Sequence, residues 1–135
     1  MFDTKVALIV RHDLAIWQRL NVVAFLSTGI AAAAPEALGE PYVDAAQRVY
    51  GRMLIQPMMV FQADLAQLQA VHAGALKREL VRLAFVQPMF STGHDAANRA
   101  AFVAEDPEHM NLVGYAIRGG KKAVDKTIKG LALHP

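Results

Sequence analysis

The chain has 135 residues, of which 54% are hydrophobic and 19% charged, and its formal net charge is +2. That length predicts one domain, 1–135, with enough buried apolar surface to fold without a staple. The absence of cysteine excludes disulfides, thiol catalysis and thiolate metal sites, and fits a reducing, cytoplasmic setting.

The first predicted strand is an unbroken apolar run, Val6 to Val10, followed by Arg11-His12-Asp13. Such a run is covered on both faces and belongs in the middle of a sheet. Its C-terminal end delivers Arg11, His12 and Asp13 to the sheet edge, where open α/β sheets bind ligands. The run is too short for a signal peptide, and Asp3 stands where a basic region is needed. The first helix starts between Asp13 and Trp17, with Asp13 as a suitable N-cap. From Val22 to Ala34 it is apolar nearly all round, which predicts a helix sandwiched between other elements. The uncharged run Leu20 to Pro35 falls short of a bilayer span and contains Asn21, Ser27 and Thr28, so no membrane partner is expected. Pro35 ends the helix.

Gly39 and Pro41 mark a loop, and Asp44 to Tyr50 reads as either a short helix or an extended arm. The second strand lies near Pro57 to Ala63. Asp64 then caps a helix in which Leu65, Leu68, Val71, His72, Ala75 and Leu76 recur at helical spacing. His72 falls on that apolar stripe and is expected to be wholly or partly buried. The third strand is Val81 to Val86, stopped by Pro88. Thr92-Gly93-His94-Asp95 has the capping-box pattern and opens a short helix from Ala96 to Ala104. Asn111 to Ile117 is the fourth strand, and Gly119-Gly120 opens a final helix, Lys121 to Leu131. An excursion instead of a full crossover joins strands three and four, so they should run antiparallel and the sheet should be mixed. Met53, Met58, Met59, Met89 and Met110 read as core filler.

The corner Val10-Arg11-His12-Asp13-Leu14 and the late segment Val124-Asp125-Lys126, with Gly130-Leu131 behind it, resemble the type II peptidyl-tRNA hydrolases. There, too, a buried strand runs into an aliphatic-Arg-polar-Asp-aliphatic corner and an alanine-rich helix, and a C-terminal helix with an aliphatic-Asp-Lys core closes the fold. The segment Met89 to Arg99 is similar to the signature of a small bacterial family of unknown function thought to share that fold. The resemblance implies a three-layer α/β/α sandwich with a mixed four-stranded sheet, and a homodimer. It implies no established activity. The hydrolases' lysines and first-helix histidine have no counterpart in Ile16-Trp17-Gln18-Arg19-Leu20-Asn21 or in Phe25 to Thr28, where Arg19 is the remaining cation. Their catalytic set therefore does not carry over.

His94, Asp95, Asn98 and Arg99 form the densest polar group of an apolar protein. On a helix His94 faces Asn98 and Asp95 faces Arg99. A histidine beside a carboxylate suits general acid–base work, and Arg99 suits a carboxylate or phosphate. The competing reading is structural: Thr92 and Asp95 cap the helix, and Asp95 pairs with Arg99. His12 is a second acid or base, and meets His94 if the segment carrying His94 folds over the sheet edge. The leading functional reading is a hydrolytic or small-ligand site with His94, Asp95 and His12 as catalytic candidates. Arg11, Asp13, Arg19, Thr92, Asn98 and Arg99 would bind the ligand. The alternative is a non-catalytic RNA- or nucleotide-binding module, because Arg118, Lys121, Lys122, Lys126 and Lys129 face only Asp125. A dimeric scaffold without a ligand is the third. No metal is expected, since histidines 12, 72, 94, 109 and 134 have no ligand spacing. No cofactor is expected either: Gly114 and Gly119 have P-loop spacing, but Gly120 displaces the lysine and Lys122 stands where Ser or Thr belongs.

Overall fold

A computed structural model describes residues 2–135. The apolar run forms β1 (Thr4–Arg11), and Val6 to Val10 are each no more than 1% exposed. It is followed by α1 (Ile16–Ala33), a small hairpin of β2 (Tyr42–Val43) and β3 (Val49–Tyr50), then β4 (Met58–Ala63) and α2 (Leu65–Lys77). The chain continues through β5 (Val81–Val86), a 3₁₀ turn (Gln87–Ser91), α3 (Asp95–Val103), β6 (Leu112–Gly120), α4 (Lys121–Thr127) and β7 (Ala132–Leu133).

The main sheet has the order β5-β6-β1-β4-β7. β1 lies between β4, which is parallel to it, and β6, which is antiparallel. β5 and β6 run antiparallel, as expected. Alternate residues of β1 point to opposite faces. Ala7 and Ile9 join Leu68, Val71, Ala75 and Val124 on the side of α2 and α4. Val6, Leu8 and Val10 join Val22, Leu26 and Ile30 of α1 on the other.

The sheet has five strands where four were expected. The expected long final helix ends at Thr127, Gly130 turns the chain at φ +88°, and β7 pairs with Phe61 and Gln62 of β4. Two-residue β7 is too short to show any alternation in sequence. Nor is α1 sandwiched. It buries Val22, Leu26, Ile30 and the following Ala34, while Leu20, Trp17 and Phe25 are 67%, 60% and 58% exposed. Among the described residues, none covers that outer face completely. Asp13 is not its N-cap: Ala15 is, with its N–H bonded to Gln18 Oε1 at 3.0 Å, while Asp13 turns back to Arg11. The Asp44 region is a hairpin, not a helix. Of the five methionines read as core filler only Met110 is buried, and Met53, Met58 and Met59 are exposed. Among the described residues, no helix is long and apolar enough to cross a membrane.

Candidate functional site

β1 and β5 end at the same edge of the sheet, since each is antiparallel to the β6 between them. The chain leaves β5 through Pro88 and the 3₁₀ turn, which swings Phe90 beside α1. Four rings form a chain there. Trp17 stacks edge-on to Phe90 with centroids 5.8 Å apart, Phe90 lies 5.2 Å from Phe85, and Phe85 lies 6.2 Å from Phe25. Such offset and edge-on contacts match the ring quadrupoles. Over this floor opens a groove of about 930 Å³, with Leu83, Met89 and Phe102 completing its apolar wall. Asn21, Thr92, His94, Asp95, Asn98 and Arg99 give it a polar border.

His94 is the N-cap of α3, and its Nδ1 accepts the Ala97 N–H at 3.2 Å. The expected Thr92–Asp95 capping box is therefore absent, because the imidazole itself takes the acceptor role usually filled by Ser, Thr, Asn or Asp. With Nδ1 an acceptor, the ring proton sits on Nε2. Asp95 turns to Arg99, its Oδ2 2.6 Å from Nε, in an ion pair open to water. The Arg99 guanidinium is held above its ordinary range by this hydrogen bond first and by the same charge second. The Thr92 hydroxyl donates to the Met89 carbonyl at 3.0 Å and touches the Asn98 side-chain amide. These bonds fix the 3₁₀ turn to α3 and shape the groove's border.

The second group of expected residues is elsewhere. Arg11 Nε donates to Asp13 at 2.7 Å and its Nη1 to Asn111 Oδ1 at 2.9 Å. The hydrogen bond from Arg11 holds the Asp13 carboxyl below its usual range. Arg19 Nε donates to the Leu14 carbonyl at 3.0 Å and Nη2 to that of His12, while Nη1 lies 3.3 Å from His134 Nε2. Arg19 thus braces the β1–α1 corner and meets the segment after β7. It borders a separate pocket of about 270 Å³ with Val10, Leu20, Val23, Val60 and His134. His12 is exposed and borders neither space, so the two histidines do not share a pocket.

The basic C-terminal end loses Arg118 but keeps Lys121, Lys122, Lys126 and Lys129 exposed. Arg118 is turned inward, its Nε donating to Gln56 Oε1 at 3.1 Å and its Nη1 3.5 Å from Glu36, and its side chain is 14% exposed. Lys5 neutralises Asp125 at 2.6 Å. Among the described residues, no three His, Cys, Asp or Glu side chains converge as a metal would require. The groove residues that sequence reasoning missed are Asn21 and the aromatic floor. Trp17, Asn21 and Phe25 recur every four residues, a helical stripe that reads equally as core.

A family model described as a protein of unknown function, DUF2000, matches residues 4–135. A solved structure of a protein of unknown function from Agrobacterium tumefaciens strain C58 is 47% identical, with a TM-score of 0.97 over 100% of both chains. No functionally curated protein matches.

Proposed function

This chain belongs to the DUF2000 family of proteins of unknown function, and from that premise we propose that its groove binds a small amphipathic molecule with a flat apolar body and an anionic or hydrogen-bonding head. The single observation that carries the reading is the chain of four rings beneath a polar border of His94, Asn98 and Arg99. The volume lies in the range of small-ligand pockets, which join apolar walls to a few polar groups that set orientation. The ring floor would take the flat body. The free Nη groups of Arg99 and the Nε2–H of His94 would meet the head.

Binding is favoured over hydrolysis for this site. General base catalysis needs an imidazole nitrogen aimed at a nucleophile. Here Nδ1 is spent on the helix cap, Asp95 on Arg99, and the Thr92 hydroxyl on the Met89 carbonyl. The peptidyl-tRNA hydrolase resemblance therefore bears on ancestry more than on chemistry.

Trp17 is the chain's one tryptophan and lies in the groove, so its fluorescence reports occupancy. The test is a titration with 8-anilinonaphthalene-1-sulfonate, an aromatic anion, reading quenching of Trp17. Saturable quenching that weakens about tenfold, or ~1.4 kcal/mol, in Phe90→Ala is the expected result. Arg99→Gln should weaken it less. Quenching indifferent to Phe90→Ala and Arg99→Gln would refute the reading.

A further inference from the structure

The main sheet ends on one side in β5, which has β6 on one flank and, among the described residues, no strand on the other. The ladder fixes which of its main-chain groups point outward. Lys121 N–H donates to the Asp3 carbonyl at 3.3 Å, one step beyond the Thr4–Gly120 pair. Asp3 and Lys121 are therefore a hydrogen-bonded pair, and such pairs alternate along an antiparallel ladder. Gly119, Ile117 and Tyr115 thus turn their main-chain groups to β1, while Arg118, Ala116 and Gly114 turn theirs to Val81, Leu83 and Phe85 of β5. The His12 N–H, which donates to the Ala63 carbonyl at the end of β4, obeys the same alternation on the other side of β1. The N–H and C=O groups of Arg82 and Ala84 are left facing away from the sheet.

The groove reaches this edge. Leu83 and Phe85 pack with α1, while Ala84 and Val86 belong to the opposite face. Ala84 lines the groove all the same, so the groove wraps around β5 and the outward main chain forms part of its wall. Across from it stands α3, which rests on the 3₁₀ turn and presents Phe102 and Val103, the latter 82% exposed. A ligand seated only on the rings uses neither Val103 nor the Ala84 main chain. Arg82 is the one charged residue of β5. Alternation puts its exposed side chain on the Ala84 face. Its Nη1 donates to the Leu80 carbonyl at 3.3 Å, and among the described residues no carboxylate meets it.

We propose that β5 takes an extended acidic peptide as a further, antiparallel strand, with aromatic side chains opposite Leu83 and Phe85 in the groove and a carboxylate opposite Arg82. An unpaired strand edge is a template for another strand. Main-chain bonds then give affinity, and pockets for alternate side chains give specificity. An antiparallel partner meets Phe85 first and Arg82 last, so it reads aromatic, small, aromatic, acidic from its N-terminus. Charge decides between occupants. A second β5 would bring two Arg82 side chains onto one face, where like charges repel, whereas an acidic peptide gains a cross-strand ion pair. The inference rests on the binding groove proposed above and deepens it: the aromatic side chains are the flat body, and the peptide main chain is the hydrogen-bonding head.

The experiment is a nuclear magnetic resonance titration of the full chain with acetyl-Phe-Thr-Phe-Glu-Thr-amide, following the amides of β5. The Arg82 and Ala84 amides should shift downfield as they gain acceptors, and those of Leu83 and Phe85 should move less. In the added strand the first Thr and the Glu turn their N–H groups to β5, while the second Phe turns its own away. N-methylation of that Thr should weaken binding about tenfold or more, and N-methylation of the second Phe should change it little. Arg82→Glu lies at an exposed position, and circular dichroism verifies that it folds. It should weaken the parent peptide and favour one with Lys in place of Glu. No binding, or binding indifferent to N-methylation of the Thr, overturns the proposal. So does a dimer that refuses the peptide because a second copy already pairs with β5. A groove that takes the anilinonaphthalene dye but not the peptide overturns this inference and leaves the small-ligand reading standing, while one that takes neither overturns both.

Discussion

His94 caps α3 through one ring nitrogen and borders the groove with the other side of the ring, and substitution separates the two roles. Asparagine keeps a short acceptor for the Ala97 N–H, while alanine removes it at a cost of about 0.5–2 kcal/mol. No residue of α3 is fully buried, so little packing compensates. Amide exchange over residues 95–98 should accelerate in His94→Ala and stay near wild type in His94→Asn, while both lose the Nε2 donor to the groove. Tyr115 is 1% exposed, with its hydroxyl 2.8 Å from His72 Nδ1, and burial pushes its pKa up to about 12. A folded-state pKa raised above the unfolded value near 10 gives stability that is complete below pH 10. It is lost as pH rises toward 12, on the order of 2 kcal/mol. Chemical denaturation at pH 8 and pH 11 should show this loss in wild type and much less of it in Tyr115→Phe. Gly114 is a packing requirement: an added Cβ would lie 2.2 Å from Val22 Cγ1, and Val22 is fully buried. Gly114→Ala should cost about 1–3 kcal/mol in urea unfolding. Gly29→Ala should cost a similar amount, because its Cβ would lie 1.7 Å from Leu83 Cδ2 and 2.9 Å from Leu83 Cγ, so the whole side chain must shift.

Elements were legible in sequence wherever one local signal dominated. β1 announced itself by an unbroken apolar run, and α2 by Asp64, whose Oδ1 accepts the Gln67 N–H at 2.8 Å. β5 occupies Val81–Val86, as read. What failed depended on partners distant in the chain. The apolar circumference of α1 shows that it avoids water, but not that only the face carrying Val22, Leu26 and Ile30 is covered within one copy. The α3 cap escaped because imidazole is an unusual acceptor there. The polar cluster from Thr92 to Arg99 was legible as a cluster, while the aromatic floor beside it comes from α1, β5 and the 3₁₀ turn at once. The β2–β3 hairpin depends on four bonds to one carboxylate, that of Asp44, which composition cannot reveal. Backbone and side-chain hydrogen bonds from Arg48, then the Tyr50 hydroxyl, hold the Asp44 carboxyl below its usual range. A depressed pKa contributes order above the unfolded value of a carboxylate. That order is lost as pH falls through the lower folded value. Chemical shifts of Tyr42 to Tyr50 should therefore collapse toward coil values in strong acid before those of β1 do. Asp44→Ala should produce the same collapse at neutral pH.

At the scale of the molecule, the ends of the chain are tied to its middle. β7 closes against β4, His134 N–H donates to the Val60 carbonyl at 2.9 Å, and Arg19 reaches the His134 ring. Replacing Arg19 by leucine should expose the smaller pocket and free the segment after β7, seen as faster amide exchange at His134 with the main sheet unchanged. The sheet order has a consequence in time. Of the sheet's five strands the first made is the central one, and its antiparallel neighbour, β6, begins more than a hundred residues later. Until residue 120 is synthesised, the greasiest stretch of the molecule has only half its hydrogen-bonding neighbours. The emerging chain must therefore be shielded or kept from its fellows while the segment between β1 and β6 is made. A chain stopped after His109 should be insoluble or degraded, however complete its α1, β4 and α2 are on paper.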